Sequence, residues 1–175
     1  MSNSSTTLVE LLAAIVADQA EAVRLVGATP EIARARIGDE RLVKEIPHQL
    51  YLGDTALHVA AAALRPLAVA ALIEAGADSN AENRRGATAL HYACDARPKA
   101  GKTGKTWNPS AQRSVIERLL DAGSDIEHKD KAGATPLHRA VRARSRSSRE
   151  GRERQPPAEV SSTSPQSRGS SRQAQ

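Results

Sequence analysis

Two Gly-Lys-Thr triplets, Gly101-Lys102-Thr103 and Gly104-Lys105-Thr106, are the residues whose order most suggests chemistry, because such a triplet ends a phosphate-binding loop. The full motif also needs a glycine five residues before the Gly-Lys pair. Ala96 and Lys99 hold those positions, so both registers fail. The strand that should precede such a loop is absent too, since a helical pattern takes its place. What remains is a solvated basic loop. Lys99, Lys102, Lys105 and Trp107 stay open as an accessory contact for an acidic partner.

Three histidines, His58, His91 and His138, recur within one pattern and invite a metal reading. Neighbouring copies on stacked helices lie about 10 Å apart, whereas shared ligation needs about 2 Å. They cannot hold one ion. His48 and His128 are isolated and are expected to be exposed. Cys94 is the single cysteine, sits where a small buried residue is wanted, and has no Cys or His at a ligand spacing. Asp78 and Asp125 follow glycines that end helices and belong to the scaffold. No carboxylate pair has a spacing that argues for acid–base work. No cofactor, metal or catalytic constellation is expected, and the chain reads as a non-enzyme.

The elements that would position these residues are repeats. Gly53-Asp-Thr-Ala-Leu-His-Val-Ala60 returns as Gly86-Ala-Thr-Ala-Leu-His-Tyr-Ala93 and as Gly133-Ala-Thr-Pro-Leu-His-Arg-Ala140, at intervals of 33 and 47 residues. Ala71-Leu-Ile-Glu-Ala-Gly-Ala-Asp78 aligns without a gap to Arg118-Leu-Leu-Asp-Ala-Gly-Ser-Asp125. Thr55, Thr88 and Thr135 stand where a hydroxyl caps a helix start, and Pro136 suits a first helical position. Leu57, Leu90 and Leu137 are expected to point inward, with the small Ala60, Ala93 and Ala140 letting helices approach. Gly76 and Gly123 end the second helices, and Gly86 and Gly133 sit in turns expected to need positive φ. Val69, Leu72 and Ile73 form a buried stripe matched by Ile116, Leu119 and Leu120.

On these residues the chain resembles the ankyrin-repeat family, whose unit carries T-P-L-H-x-A at a period of 33. The match runs from about Gly53 to Val141. The resemblance implies an all-α fold: an ankyrin-repeat solenoid of stacked helix-turn-helix units joined by β-hairpin-like loops. It implies structural hydrogen bonds from the repeated histidines to turns. It also implies protein–protein binding through hairpin tips and the exposed edge of the first helices. Carried onto this chain, those positions are Tyr51, Leu52 and Asp54, then Arg84, Arg85 and Asp95, then Lys131 and Arg142. Arg65-Pro66 stands where the family usually has Gly-His, so that turn is expected to differ.

Residues 1–52 read as an N-terminal helical cap and connector. Thr7 with Glu10, and Asp18 with Glu21, suggest two capping boxes, the second helix running to Val26 and stopping at Gly27. Pro30 to Arg36 suggests one more short helix, and Ile37 to Leu52 carries no repeat signal. Residues 53–143 hold the repeats: 53–85, then 86–132 with a 14-residue insertion near 96–109, then a partial unit at 133–143. Residues 144–175 are Arg/Ser-rich, with Val160 the one large aliphatic, and are expected to be a disordered tail, with Arg142 to Arg146 able to prolong the preceding helix.

The net charge of +5 arises wholly from residues 142–175, with 8 basic against 3 acidic side chains, since residues 1–141 carry 17 of each. The tail therefore offers an alternative function, binding nucleic acid or another polyanion. A third reading is a truncated or frame-changed array with no surviving partner, prone to weak self-association through an uncapped last repeat. One cysteine excludes an internal disulfide and suggests a reducing, cytoplasmic setting. No signal peptide is expected, and the longest apolar run, Leu11 to Ala17, is too short to span a membrane.

Overall fold

Apolar residues at helical spacing, punctuated by caps and glycines, divide the chain into helix pairs. The computed structural model describes residues 3–38, 41–42, 49–95 and 108–153. Helix α1 spans Asn3–Ala17 and α2 spans Gln19–Ala28, followed by a 3-10 turn at Pro30–Arg34. Two short strands, β1 (Arg41–Leu42) and β2 (Gln49–Leu50), pair antiparallel with Arg41 opposite Leu50. Then come α3 (Ala56–Ala62), α4 (Pro66–Glu74), α5 (Ala89–Asp95), α6 (Pro109–Asp121) and α7 (Pro136–Glu153).

The first helices form one row, with α3 between α1 and α5, and α7 on the far side of α5. The second helices form another row, in which α4 packs on α2 and on α6. Leu57 and Leu90 fill the first row, and Val69, Leu72, Val115 and Leu119 fill the second, all buried. Ala60 and Ala93 have no exposed surface, so helix backbones approach closely there. Burying each leucine or valine contributes about 1.5–3 kcal/mol, and no single helix pair could bury these residues alone. The result is a helix-pair solenoid with one continuous core.

The N-terminal pair docks through two exchanged caps. The Arg65 guanidinium donates to the carbonyls of Ile15 (3.1 Å) and Val16 at the end of α1. The Gln19 amide oxygen accepts from the Leu67 amide at the start of α4 (3.1 Å). Arg65 reaches α1 from a turn in which Leu64 adopts φ +54°, a left-handed conformation unusual for leucine. This is how the Arg65-Pro66 turn departs from the expected Gly-His.

Several expectations change. Helix α1 begins at Asn3, so Thr7 lies inside it and not at its start. Asp18 does cap α2, accepting from the Ala20 amide (2.9 Å), while Glu21 pairs with Arg24 and leaves the box open. Helix α2 passes through Gly27 and ends at Ala28. The connector without repeat signal contains the β1–β2 pair, anchored by fully buried Leu50. Helix α7 runs on through Arg142–Arg146, as that stretch allows, and continues to Glu153, so the tail begins later than residue 144. Arginine is a good helix former, and the first glycine after Gly133 is Gly151. Leu137 and Leu120 are not inward, being 69% and 40% exposed, because no later helix among the described residues covers them.

The 14-residue insertion is divided. The α3–α4 connection has three residues and the α5–α6 connection thirteen, while α6 is four residues longer than α4. Asn108 caps the extra turn by accepting from the Ala111 amide (3.0 Å), with Pro109 first in the helix. From that turn Gln112 donates to the Ala93 carbonyl near the end of α5 (2.8 Å). Lys99, Lys102, Lys105 and Trp107 lie outside the described residues, as does His48.

Candidate protein-interaction surface

The tips between units are built by one side chain each. The Asn83 side-chain oxygen accepts from the amides of Arg85 (2.8 Å) and Ala87 (3.1 Å). Asp130 does the same for Ala132 (2.9 Å) and Ala134 (2.9 Å). Such a self-bonded turn fixes the residues at its tip. Adjacent tips are then joined by backbone. The Gly53 amide donates to the Ile37 carbonyl (2.9 Å), Arg84 to Leu52 (2.8 Å) and Lys131 to Arg85 (2.9 Å). The approach is so close that a Cβ on Gly86, at φ +69°, would lie 3.2 Å from the Lys131 nitrogen.

This ridge brings together five of the eight residues that the resemblance singled out. Leu52, Arg84, Arg85 and Lys131 are exposed on it, and Tyr51 is half-buried behind them. The Arg85 guanidinium lies over the Tyr51 ring, 4.5 Å from its centre. That contact holds one cation in place at little cost to its hydration. Sequence reasoning does not find Arg36, which donates to the carbonyls of Gly53 (3.2 Å) and Glu82 (2.7 Å) and ties the first two tips together. Its partners are backbone atoms 17 and 46 residues away, and nothing local signals them.

Asp54 is a correction. It is fully buried and cannot touch a partner. Its carboxylate accepts from the Tyr51 amide (2.7 Å), the Tyr92 hydroxyl (2.9 Å) and the Asn83 amide group (2.8 Å). Burial, and then the neighbouring Asp54 charge, push the Tyr92 hydroxyl far above its usual pKa, so it stays a donor. In the next unit Arg139 replaces Tyr92 and reaches Asp130 (2.6 Å). Burial alone would raise the Asp130 pKa, but Arg139 and the Ala134 and Ala132 amides outweigh it and hold it below the usual value.

Asp95 and Arg142 fall elsewhere. They occupy equivalent positions, Asp95 half-buried at the end of α5 and Arg142 exposed within α7, roughly 10 Å along the helix from the tips. Neither joins the ridge.

The repeated histidines staple one unit to the next. The Thr55 amide donates to His58 Nδ1 (3.1 Å), so that nitrogen is an acceptor and the proton sits on Nε2. Nε2 then donates to the Ala87 carbonyl of the following unit (3.0 Å). His91 repeats this between Thr88 and Ala134 (3.2 and 3.0 Å). Burial is the largest cause lowering the pKa of both imidazoles, keeping them neutral. His128 is half-buried rather than exposed, because its Nε2 bonds to the Gly86 carbonyl (3.1 Å) beside the His91 ring. Burial, with Asp95 adding to it, pushes the Cys94 thiol up to about 11, the reverse of what a nucleophile needs. Among the described residues no group of three or more His, Cys, Asp or Glu could hold a metal. No helix there is long and apolar enough to cross a membrane.

A stack of helix pairs stapled by buried histidines, with a rigid row of exposed tips, defines a repeat scaffold that presents a surface. A family model described as ankyrin repeats (3 copies) matches residues 4–102, and one described as ankyrin repeat matches residues 85–131. The chain belongs to the ankyrin-repeat family. The first match begins inside α1, so the N-terminal helix pair is part of the array as well as its cap. Ankyrin repeats are generally protein–protein interaction modules and typically non-enzymatic scaffolds. A search of curated proteins finds no match to this chain.

Proposed function

We propose that this chain is a non-catalytic, cytoplasmic binding module that grips another protein along the row of tips formed by Leu52, Arg84, Arg85 and Lys131. One observation carries the reading: the backbone bonds from Arg84 to Leu52 and from Lys131 to Arg85 join separate turns into one ordered ridge. A pre-ordered surface loses little entropy on association. Three cations beside an exposed leucine and a tyrosine suit a partner with an acidic patch around an apolar spot. Affinity capture from native lysate, with wild type beside an Arg84→Ala/Arg85→Ala variant, tests it. A species retained by the wild type and lost with the variant is expected. Identical captures from both would end the proposal.

A second reading rests on the charge excess of residues 142–175 and on α7, which carries six arginines against two glutamates. Polyanion binding there would fall steeply with salt. It would survive Arg84→Ala/Arg85→Ala, which separates it from the tip surface.

A further inference from the structure

The three tips do not present the same side chains. At equivalent places they carry Tyr51 and Leu52, then Arg84 and Arg85, then Lys131 and Ala132. The row therefore has an order: apolar at the first tip, doubly basic at the second, singly basic at the third. Arg85 lies back over the Tyr51 ring (4.5 Å) and joins the first place to the second. Nearby carboxylates do not cancel this charge. Asp54 and Asp130 are buried and satisfied from within, Asp130 by Arg139. Exposed Glu82 is balanced by Arg36, whose guanidinium bonds to the Glu82 carbonyl (2.7 Å), and exposed Glu127 by exposed Lys129. The row keeps the charge of Arg84, Arg85 and Lys131 as its surplus.

Each tip bonds to the one before it through a single amide, so the places repeat at the interval of the stack, about 10 Å. A chain in extended conformation advances about 3.3 Å per residue, so every third residue of such a chain meets a new tip. Three places in a line suit a linear ligand. Their order sets its composition: an apolar residue, then carboxylates three and six residues further on. The tail cannot supply this from the same chain or from a second copy. Residues 154–175 hold a single acidic residue, Glu159, and a single large aliphatic, Val160.

We infer that the tip row reads one extended acidic segment of a partner protein, with an apolar residue at Tyr51 and Leu52, a carboxylate at Arg84 and Arg85, and a second carboxylate at Lys131. The forked donors of arginine suit the first carboxylate, and the point charge of lysine the second. This rests on the tips being the binding face and adds what that face selects.

Fluorescence anisotropy at low salt, with labelled serine-based peptides, tests the assignment. The probe carries leucine followed by glutamate at +3 and +6. A control of the same composition and spacing places the leucine between the two glutamates, which breaks the order in either chain direction. The wild-type chain should bind the probe at least about fivefold more tightly than the control. Charge swaps then fix the register. Arg84→Glu/Arg85→Glu should weaken the probe at least about tenfold and recover with lysine in place of glutamate at +3 but not at +6. Lys131→Glu should do the reverse. All three side chains are exposed, and an unchanged urea midpoint checks that each variant stays folded. No binding of the probe by the wild type overturns the inference. So does equal binding of probe and control, or a rescue indifferent to which glutamate is replaced. A DNA duplex bound more tightly than the probe, and lost with Lys131→Glu, would overturn it in favour of nucleic acid. A lysate partner lost with Arg84→Ala/Arg85→Ala, while probe and control bind alike, would leave the tips as the binding face and remove only the extended segment. Captures and probe binding both unchanged by that variant would remove both.

Discussion

His58 satisfies a buried amide with one nitrogen and a buried carbonyl with the other. Replacing it with an isosteric apolar residue strands both groups, each worth about 1–3 kcal/mol when buried and unmade. His58→Leu should therefore lose about 3 kcal/mol of unfolding free energy in urea titration, and His138→Leu, at an exposed ring, less than about 1 kcal/mol. The pH dependence follows from the same bonds. The folded pKa values of His58 and His91 lie below the ordinary 6.5, so the unfolded chain takes up protons first as pH falls. Their contribution is full above about pH 6.5 and is lost as pH drops from there through the folded values, at up to about 1.4 kcal/mol per pH unit for each. Urea midpoints between pH 8 and 5 should fall accordingly, and less steeply in a His91→Leu background. At this scale the threonine caps were legible because they act on amides a few residues away, and the histidine bonds to turns were legible through the family resemblance. Asp54 was not, because its partners Asn83 and Tyr92 lie 29 and 38 residues away. The one available signal was Tyr92 itself, an aromatic in a core of small aliphatics whose hydroxyl must find an acceptor.

Elements were legible where a cap or glycine marks them and illegible where tertiary packing sets the boundary. Gly76, Gly86, Gly123 and Gly133 all have positive φ, as their positions require, and Asn108-Pro109 starts α6. The start of α1, the β1–β2 pair and the length of α7 carry no such marks, and local propensity alone does not fix them. The α3–α4 turn shows the cost of a leucine in a left-handed conformation. Leu64 at φ +54° carries about 1–2 kcal/mol of strain that asparagine tolerates better and a β-branched residue worse. It lies outside the packed core, so little burial is at stake. Leu64→Asn should raise stability by about 0.5 kcal/mol and Leu64→Val lower it by about 1 kcal/mol, a spread that thermal melts resolve.

Among the described residues, the α3–α4 unit is covered on two sides, the α5–α6 unit on one side and by α7 alone on the other, and α7 on one side. Stability in such an array is a sum of unit and interface terms. Amide hydrogen exchange should therefore be slowest in α3 and α4, intermediate in α5 and α6, and fastest in α7. Uniform protection through α7 would show that the exposed leucines are covered in solution. The repeat period made this order readable from sequence. The exposed end was readable too, but its charge and its apolar positions became a defined surface only once α7 was seen to run on as a helix.

The α5–α6 pair packs like α3–α4 although its linking segment is ten residues longer, and Gln112 still closes on Ala93. Going from three to thirteen residues in a closed connection costs only about 1 kcal/mol of entropy. The junction between Asp95 and Asn108 is thus a natural port: foreign sequence grafted there, whether an epitope, a fluorophore-binding tag or a second recognition peptide, should be carried outside the stack without altering how the tips line up.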